Sequence, residues 1–235
     1  LNRNVDVITL REPDSLEELR SMGVSRPEIR LTADPALTLA PAAEEKTDSV
    51  LLRAGIPPHG ARYICFALRP WAGFPEKAHL FGEAARYAWE RYGLTPVFAA
   101  VEKGQDPAAA RLAAQGLGGT PHCFLDDAGA AGTMIGALAR MEVVVSMRLH
   151  ALIFAAGQGI PLAGVVYDPK VSSFLRYIGQ ENFTDLEALT AENLKAMIDR
   201  AAAQAGDKAA QAEAVRKLRG LERGNVDTAK RLLGL

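Results

Sequence analysis

Cysteine is nearly absent from this sequence, and so is any surplus of charge. Two cysteines, Cys65 and Cys123, in 235 residues do not make a disulfide framework, and they suit a reducing compartment. The formal net charge of −1 excludes a global electrostatic pull toward nucleic acid or an anionic membrane. Any anion binding has to come from a few local groups. Long uninterrupted hydrophobic runs are missing too. The most apolar region, Val143–Tyr167, is broken by Arg148, His150, Gln158 and Pro161, so it reads as buried α/β core and not as a membrane span. The first segment, LNRNVDVITLRE, is a short apolar run between charges and lacks the pattern of a signal peptide. There is no internal repeat and no low-complexity tract, only Ala-rich helix stretches such as Ala201–Ala214.

What is present is an ordinary globular composition, 49% hydrophobic and 23% charged, sufficient for one large domain or two small ones. Val5–Leu10 (VDVITL) reads as a buried strand, apolar on both faces like a central parallel strand. A Ser15/Glu18 capping-box pattern then starts a short helix that Gly23 stops, and Ile29–Leu31 is a second short strand. This βαβ unit, residues 1–40, reads as the tail of a sheet whose other strands are absent, because the chain opens with Leu1 and reaches a strand almost at once. Residues 41–46 (PAAEEK) are polar without apolar period and read as a linker.

From there strand and helix alternate. Strands are expected at Arg62–Leu68, Pro96–Val101, Pro121–Leu125, Val143–Met147 and Pro161–Tyr167, and helices at Glu76–Tyr92, Asp106–Gln115, Thr133–Arg140 and from Ala151, with mostly helix after Val171. Such alternation means a parallel sheet covered on both faces, over residues 47–220. Residues 221–235 form a last helix; its apolar Val226, Ala229, Leu232 and Leu233 stand at helical spacing and suit docking against the residues 1–40 unit.

Ligands of open parallel sheets bind beyond the carboxyl ends of the strands. Four of these strands end in unusual polar residues: VDVITL in Arg11, YICFAL in Arg69 and Trp71, VVVSM in Arg148 and His150, and LAGVVY in Asp168 and Lys170. That is a local anion site in a nearly neutral chain. Arginine grips a carboxylate or phosphate with two bonds, lysine adds a point charge, and histidine moves a proton near neutral pH. A helix starting near Ala151 adds free N–H groups. Phosphoenolpyruvate fits this set, and so does a nucleoside diphosphate.

Two motifs, Arg148-Leu149-His150-Ala151-Leu152 and Tyr167-Asp168-Pro169-Lys170-Val171, stand after successive apolar strands. Upstream are ITLRE, Thr32-Ala33-Asp34-Pro35 and Leu68-Arg69-Pro70-Trp71. In this joint pattern the chain resembles the polysaccharide pyruvyl transferases, and among them the C-terminal part of the CsaB-type, cell-surface-anchoring branch. The resemblance implies an α/β fold of Rossmann-like parallel sheet layers: the C-terminal domain of a GT-B-like two-domain transferase, plus the tail of an N-terminal domain that is missing. It implies transfer of a pyruvyl group from phosphoenolpyruvate, a donor substrate and not a cofactor, to a sugar as a 4,6-ketal. The acceptor would be an N-acetylmannosamine of a lipid-linked or polymeric secondary cell-wall saccharide, whose pyruvylation anchors S-layer proteins through SLH domains. Arg11, Arg148 and Lys170 would hold the donor's charges and His150 would carry the proton. Arg69, Trp71, Leu149, Asp168 and Asp34 would line the substrate site. No metal and no nucleic acid are implied. The location would be cytoplasmic, at the inner face of the membrane if the acceptor brings the protein there.

Taken singly, several of these residues have plainer readings. Arg11 can pair with Glu12 or Asp14. Arg148 and His150, two apart, point to the same face of a strand end, either into a site or onto backbone carbonyls. Lys170 can solvate a helix start. Asp168 and Asp34 suit turns and caps, and Trp71 can cover the core. His122, Cys123 and Cys65 imitate a metal set without its spacing. Two other functions stay open: a GT-B glycosyltransferase or epimerase using a nucleotide sugar, with Glu102 holding the ribose, and a non-catalytic donor-binding fragment.

Overall fold

The computed structural model describes residues 1–205 and 208–235; part of the Ala-rich stretch Ala201–Ala214 therefore lies outside the described residues. The centre is a six-stranded sheet of β3 (Tyr63–Ala67), β4 (Thr95–Ala99), β5 (Cys123–Leu125), β6 (Val143–Ser146), β7 (Leu162–Val166) and β8 (Phe183–Asp185). All neighbours are parallel, in the order β5-β4-β3-β6-β7-β8. The chain enters in the middle at β3, winds out to β5, and returns to β6 to wind the other way. The order therefore reverses between β3 and β6, and their carboxyl ends open the crevice where such sheets bind ligands.

Strands β3, β6 and β7 are buried along their whole length, which explains why their sequences are continuous apolar runs without alternation. Ile64, Phe66, Phe98, Val143 and Val145 pack on α3 (Phe74–Tyr92), α4 (Asp106–Ala114) and α8 (Ala191–Ala203). Cys65, Ala67, Val97 and Val144 pack on the other face, against α2 (Glu44–Arg53), α5 (Ala131–Ala139) and α6 (Leu149–Gly157). Gly93, at φ +66°, ends α3 in the left-handed conformation that favours glycine. At Gly164 on β7, a Cβ would sit 2.4 Å from Leu175 Cδ1. Its bare backbone lets α7 (Pro169–Tyr177) lie close on the sheet.

The front unit differs from its expectation. β1 (Val7–Leu10) pairs in parallel with β2 (Glu28–Leu31) in a two-stranded sheet, and it is half-buried with Thr9 exposed, not a strand covered on both faces. Helix α1 (Asp14–Ser21) begins behind Pro13 with no side-chain cap; Ser15 donates its backbone and hydroxyl hydrogens to Glu12 instead of forming a box with Glu18. Glu44–Lys46 are the first turn of α2, so only residues 41–43 remain a connector. A short 3-10 turn, Pro35–Thr38, leads into it.

The last helix, α9 (Lys208–Leu233), is one continuous element across position 220. Its first half joins the main layer: Val215 and Leu218 are in the core, and Arg219 donates to Gly157 O at 2.7 Å and Leu37 O at 2.9 Å. Its second half runs along the front unit, where Asn225 donates to Ala33 O at 3.1 Å and Arg231 pairs with Glu28 at 2.6 Å. The expected apolar docking face is the outer one, with Val226 52% and Leu233 72% exposed. Polar residues make the contact instead, because the surface they meet is a row of carbonyls and charges. No helix among the described residues is long and apolar enough to cross a membrane.

Candidate functional site

Arg69 leaves the carboxyl end of β3 and reaches across to β7. Its Nη1 donates to Tyr167 Oη at 2.6 Å. Its guanidinium carbon lies 4.8 Å from the Trp71 ring centroid and 4.5 Å from that of Tyr167. The two rings are 4.8 Å apart, edge to face. Arg69 Nε is buried with no partner, and no carboxylate pairs with this arginine among the described residues. Lys170 sits 5.3 Å from the same Tyr167 ring and 3.2 Å from Asp168. Asp168 caps α7 by accepting from Lys170 N at 3.1 Å, the turn role open to it from sequence. Burial pushes the Asp168 carboxyl up, but the Lys170 amide and ammonium and the nearby Arg69 charge outweigh it, and the group is held below the ordinary carboxylate value. Arg69, Trp71, Tyr167, Asp168 and Lys170 thus form one cluster.

Arg148 belongs to a second. β6 ends at Ser146, whose hydroxyl accepts from Arg148 N at 2.9 Å and donates to Ala67 O at 3.2 Å, joining the ends of β6 and β3. The Arg148 side chain then turns over β4 and closes on Asp106 through Nε and Nη2. Asp106 is 1% exposed and Arg148 15%, so this is a buried pair. The same carboxylate accepts from Val101 N at 3.0 Å and Glu102 N at 2.9 Å. Asp106 therefore fixes both Arg148 and the loop after β4. Nothing in the sequence marks it, since an aspartate in the first turn of a helix is ordinary.

Arg148 is the extended residue before α6, while His150 is already helical, so strand alternation does not relate their side chains. His150 is exposed, 6.1 Å from Phe154. It lines a cleft of about 390 Å³ with Glu102, Lys103 and Asp127. Leu149 is buried in the core, so its side chain packs and does not meet a substrate. Arg11 pairs with Asp34 at 3.2 Å, not with Glu12 or Asp14, and Asp34 also caps the 3-10 turn by accepting from Ala36 N at 3.0 Å. The front unit touches the helix that carries Lys170, where Ser173 donates to Asp14 and Tyr177 donates to Thr32 O at 2.9 Å. Among the described residues no three His, Cys, Asp or Glu side chains gather as for a metal ion. Burial pushes the Cys65 thiol up to about 12 against a weaker opposing hydrogen bond with Ala99, so it is no nucleophile at neutral pH.

The whole fold is shared with solved glycosyltransferases. A glycosyltransferase from Rickettsia africae matches with a TM-score of 0.64 at 13% identity over 97% of this chain and 64% of that one. A UDP-forming α,α-trehalose-phosphate synthase from Burkholderia vietnamiensis matches at 0.59 and 11%, over 98% and 62%. WaaG, a glycosyltransferase involved in lipopolysaccharide biosynthesis, matches at 0.57 and 11%, over 94% and 61%. The chain spans about three-fifths of their length, and at these identities the likeness is one of fold, the GT-B-like α/β arrangement with a parallel sheet. No curated relative matches the sequence. The polysaccharide pyruvyl transferase sequence pattern matches residues 1–169, a stretch that contains the front unit, β3 to β7 and the residues of both clusters except Lys170. The chain belongs to the polysaccharide pyruvyl transferase family.

Proposed function

We propose that this transferase uses phosphoenolpyruvate as donor, and that the carboxyl edge of its six-stranded sheet holds that donor. The observation that carries the reading is the Arg69–Tyr167–Lys170 cluster: a cation with no carboxylate partner and a buried, unpartnered Nε, beside the switch point of the sheet. Such a group is prepared for an anion, because a ligand oxygen at its remaining guanidinium N–H groups breaks no ion pair. The amino ends of α6 and α7 face the same edge. Arg148, whose Nε and Nη2 are taken by Asp106, would position the loops around the donor, His150 would deliver the proton, and Arg11 would approach from the front unit.

In this reading the enol carbon takes one proton and becomes a methyl group, leaving an oxocarbenium-like centre. The two acceptor hydroxyls form two new C–O bonds and release two protons, and the C–O bond to phosphate breaks. The phosphate carries off one of those protons, so the sum is donor plus diol giving ketal plus phosphate. The acceptor sugar would be an N-acetylmannosamine of a lipid-linked or polymeric cell-wall saccharide, as in the CsaB-type branch, serving S-layer anchoring at the cytoplasmic face of the membrane. A preceding Rossmann-like domain would pair with the front unit and complete the cleft.

Thermal shift separates this from a nucleotide-sugar enzyme. Phosphoenolpyruvate should raise the unfolding midpoint with EDTA present, and UDP should not. Stabilisation by UDP alone would turn the assignment over to the nucleotide-sugar reading, with Glu102 as the candidate for the ribose.

A further inference from the structure

Beside the cationic cluster, the same sheet edge has a part of opposite character. Trp71 follows β3 by four residues and is 42% exposed, although it is among the largest apolar side chains in the chain. Its ring forms one wall of a cleft of about 470 Å³ that continues over Tyr167 and Asp168, past Ser172 at the start of α7, to Asp185 and Glu187 beyond β8. Asp185 and Glu187 are exposed, and neither side chain has a hydrogen bond or ion pair among the described residues. An exposed indole in a concave place needs a reason, since leaving it wet forgoes the free energy of burying it. The surrounding chemistry narrows the occupant. The carboxylates repel phosphoenolpyruvate and any nucleotide phosphate. They accept hydrogen bonds from hydroxyls without a charge on the ligand. A flat aromatic ring takes the C–H face of a pyranose, whose equatorial hydroxyls then point sideways to acceptors. Trp71, Tyr167 and Asp168 line the cleft and also contact Arg69 or Lys170, so the cleft adjoins the cationic cluster.

We infer that the Trp71–Glu187 cleft is a subsite for an uncharged pyranose of the acceptor saccharide, with Trp71 as the stacking platform and Asp185 and Glu187 as hydroxyl acceptors. This rests on the reading of the chain as a transferase that acts on a saccharide. It divides the edge by charge: the anionic donor on the arginine and lysine side, the neutral sugar on the carboxylate side.

The test is saturation-transfer NMR on the 235-residue chain with the methyl glycoside of N-acetylmannosamine, and with methyl galactoside and methyl glucoside alongside. Phosphoenolpyruvate binding is measured separately on the same samples by calorimetry. Ring C–H protons of at least one glycoside should receive saturation in the wild type. The signal should fall at least fivefold in Trp71→Ala, about twofold in Trp71→Phe, and at least threefold in Glu187→Gln, an exposed substitution that leaves folding intact. Phosphoenolpyruvate affinity should change less than twofold in Glu187→Gln. Absence of transfer to all three glycosides in the wild type, or equal transfer in Trp71→Ala and Glu187→Gln, would overturn the inference even if phosphoenolpyruvate binds. Glycoside transfer that depends on these residues in a chain that does not bind phosphoenolpyruvate would uphold the sugar subsite and remove the donor reading alone.

Discussion

Arg148 and Arg69 both follow strands that meet at the switch point, yet they are held in opposite ways. Arg148 is neutralised: Asp106, itself out of water, takes its Nε and Nη2, and little of the arginine is exposed. Arg69 lies against two aromatic rings that touch each other, with a phenol as its only acceptor among the described residues. The first arrangement spends the guanidinium on the architecture, joining the loops after β4 and β6. The second leaves a positive charge oriented with no carboxylate within ion-pair distance among the described residues, Asp168 acting on it only from further off. One sheet edge thus contains an arginine in an ion pair and an arginine without one, the second being the group proposed to hold the donor.

The largest expected effect breaks the structural side. Arg148→Ala leaves the Asp106 carboxylate buried without its cation and should destabilise the fold by about 3–5 kcal/mol, read from urea unfolding. A cost under about 1 kcal/mol would mean that the pair is not the anchor described. Arg69→Ala should reverse the balance. With no ion pair to break, its stability cost should be smaller, while loss of charge-assisted bonds to the donor of ~1.5–3 kcal/mol weakens phosphoenolpyruvate binding roughly 10- to 100-fold. Equal losses of stability in the two variants would erase the contrast. Tyr167→Phe keeps the ring against Arg69 and removes the hydroxyl that orients it. About 1 kcal/mol of donor affinity should go with it, measured by calorimetry, with the midpoint of unfolding little moved.

The smallest effect concerns pH. Asp168 has its folded value held below the ordinary one, so it contributes stability that is fully present above about pH 3.9 and is lost as pH falls through the lower folded value. Asp168→Asn keeps the helix cap and deletes the charge. Wild type should exceed the variant slightly at pH 7, and the two urea midpoints should converge toward pH 3. A gap that widens on acidification would contradict the assigned Lys170 and Arg69 interactions.

The sheet from β3 to β7 and the family were legible because long apolar runs, glycine stops and two joined motifs survive in one sequence. β8 was not: three residues between helices, two half-buried and one exposed, leave no run to see. The first turn of α2, Glu44–Lys46, reads as linker because it is charged and the apolar Val50 and Leu51 come late. In the site, Arg69, Trp71, Asp168 and Lys170 were legible as polar interruptions at strand ends. Asp106 and the Tyr167 hydroxyl were not, since a carboxylate in a helix's first turn and a tyrosine in a strand-end motif have no pattern of their own. The shared face expected of Arg148 and His150 assumes strand alternation, which ends at Ser146, and His150 is already in the helix that begins at Leu149.

The donor claim meets its most direct test in calorimetric titration of phosphoenolpyruvate, with EDTA present, into wild type, Arg69→Ala and Lys170→Ala. The arrangement predicts saturable binding to wild type and roughly 10-fold or greater weakening in each variant. Unchanged affinity in both variants would contradict it, because the cations at this edge would then play no part in holding the donor.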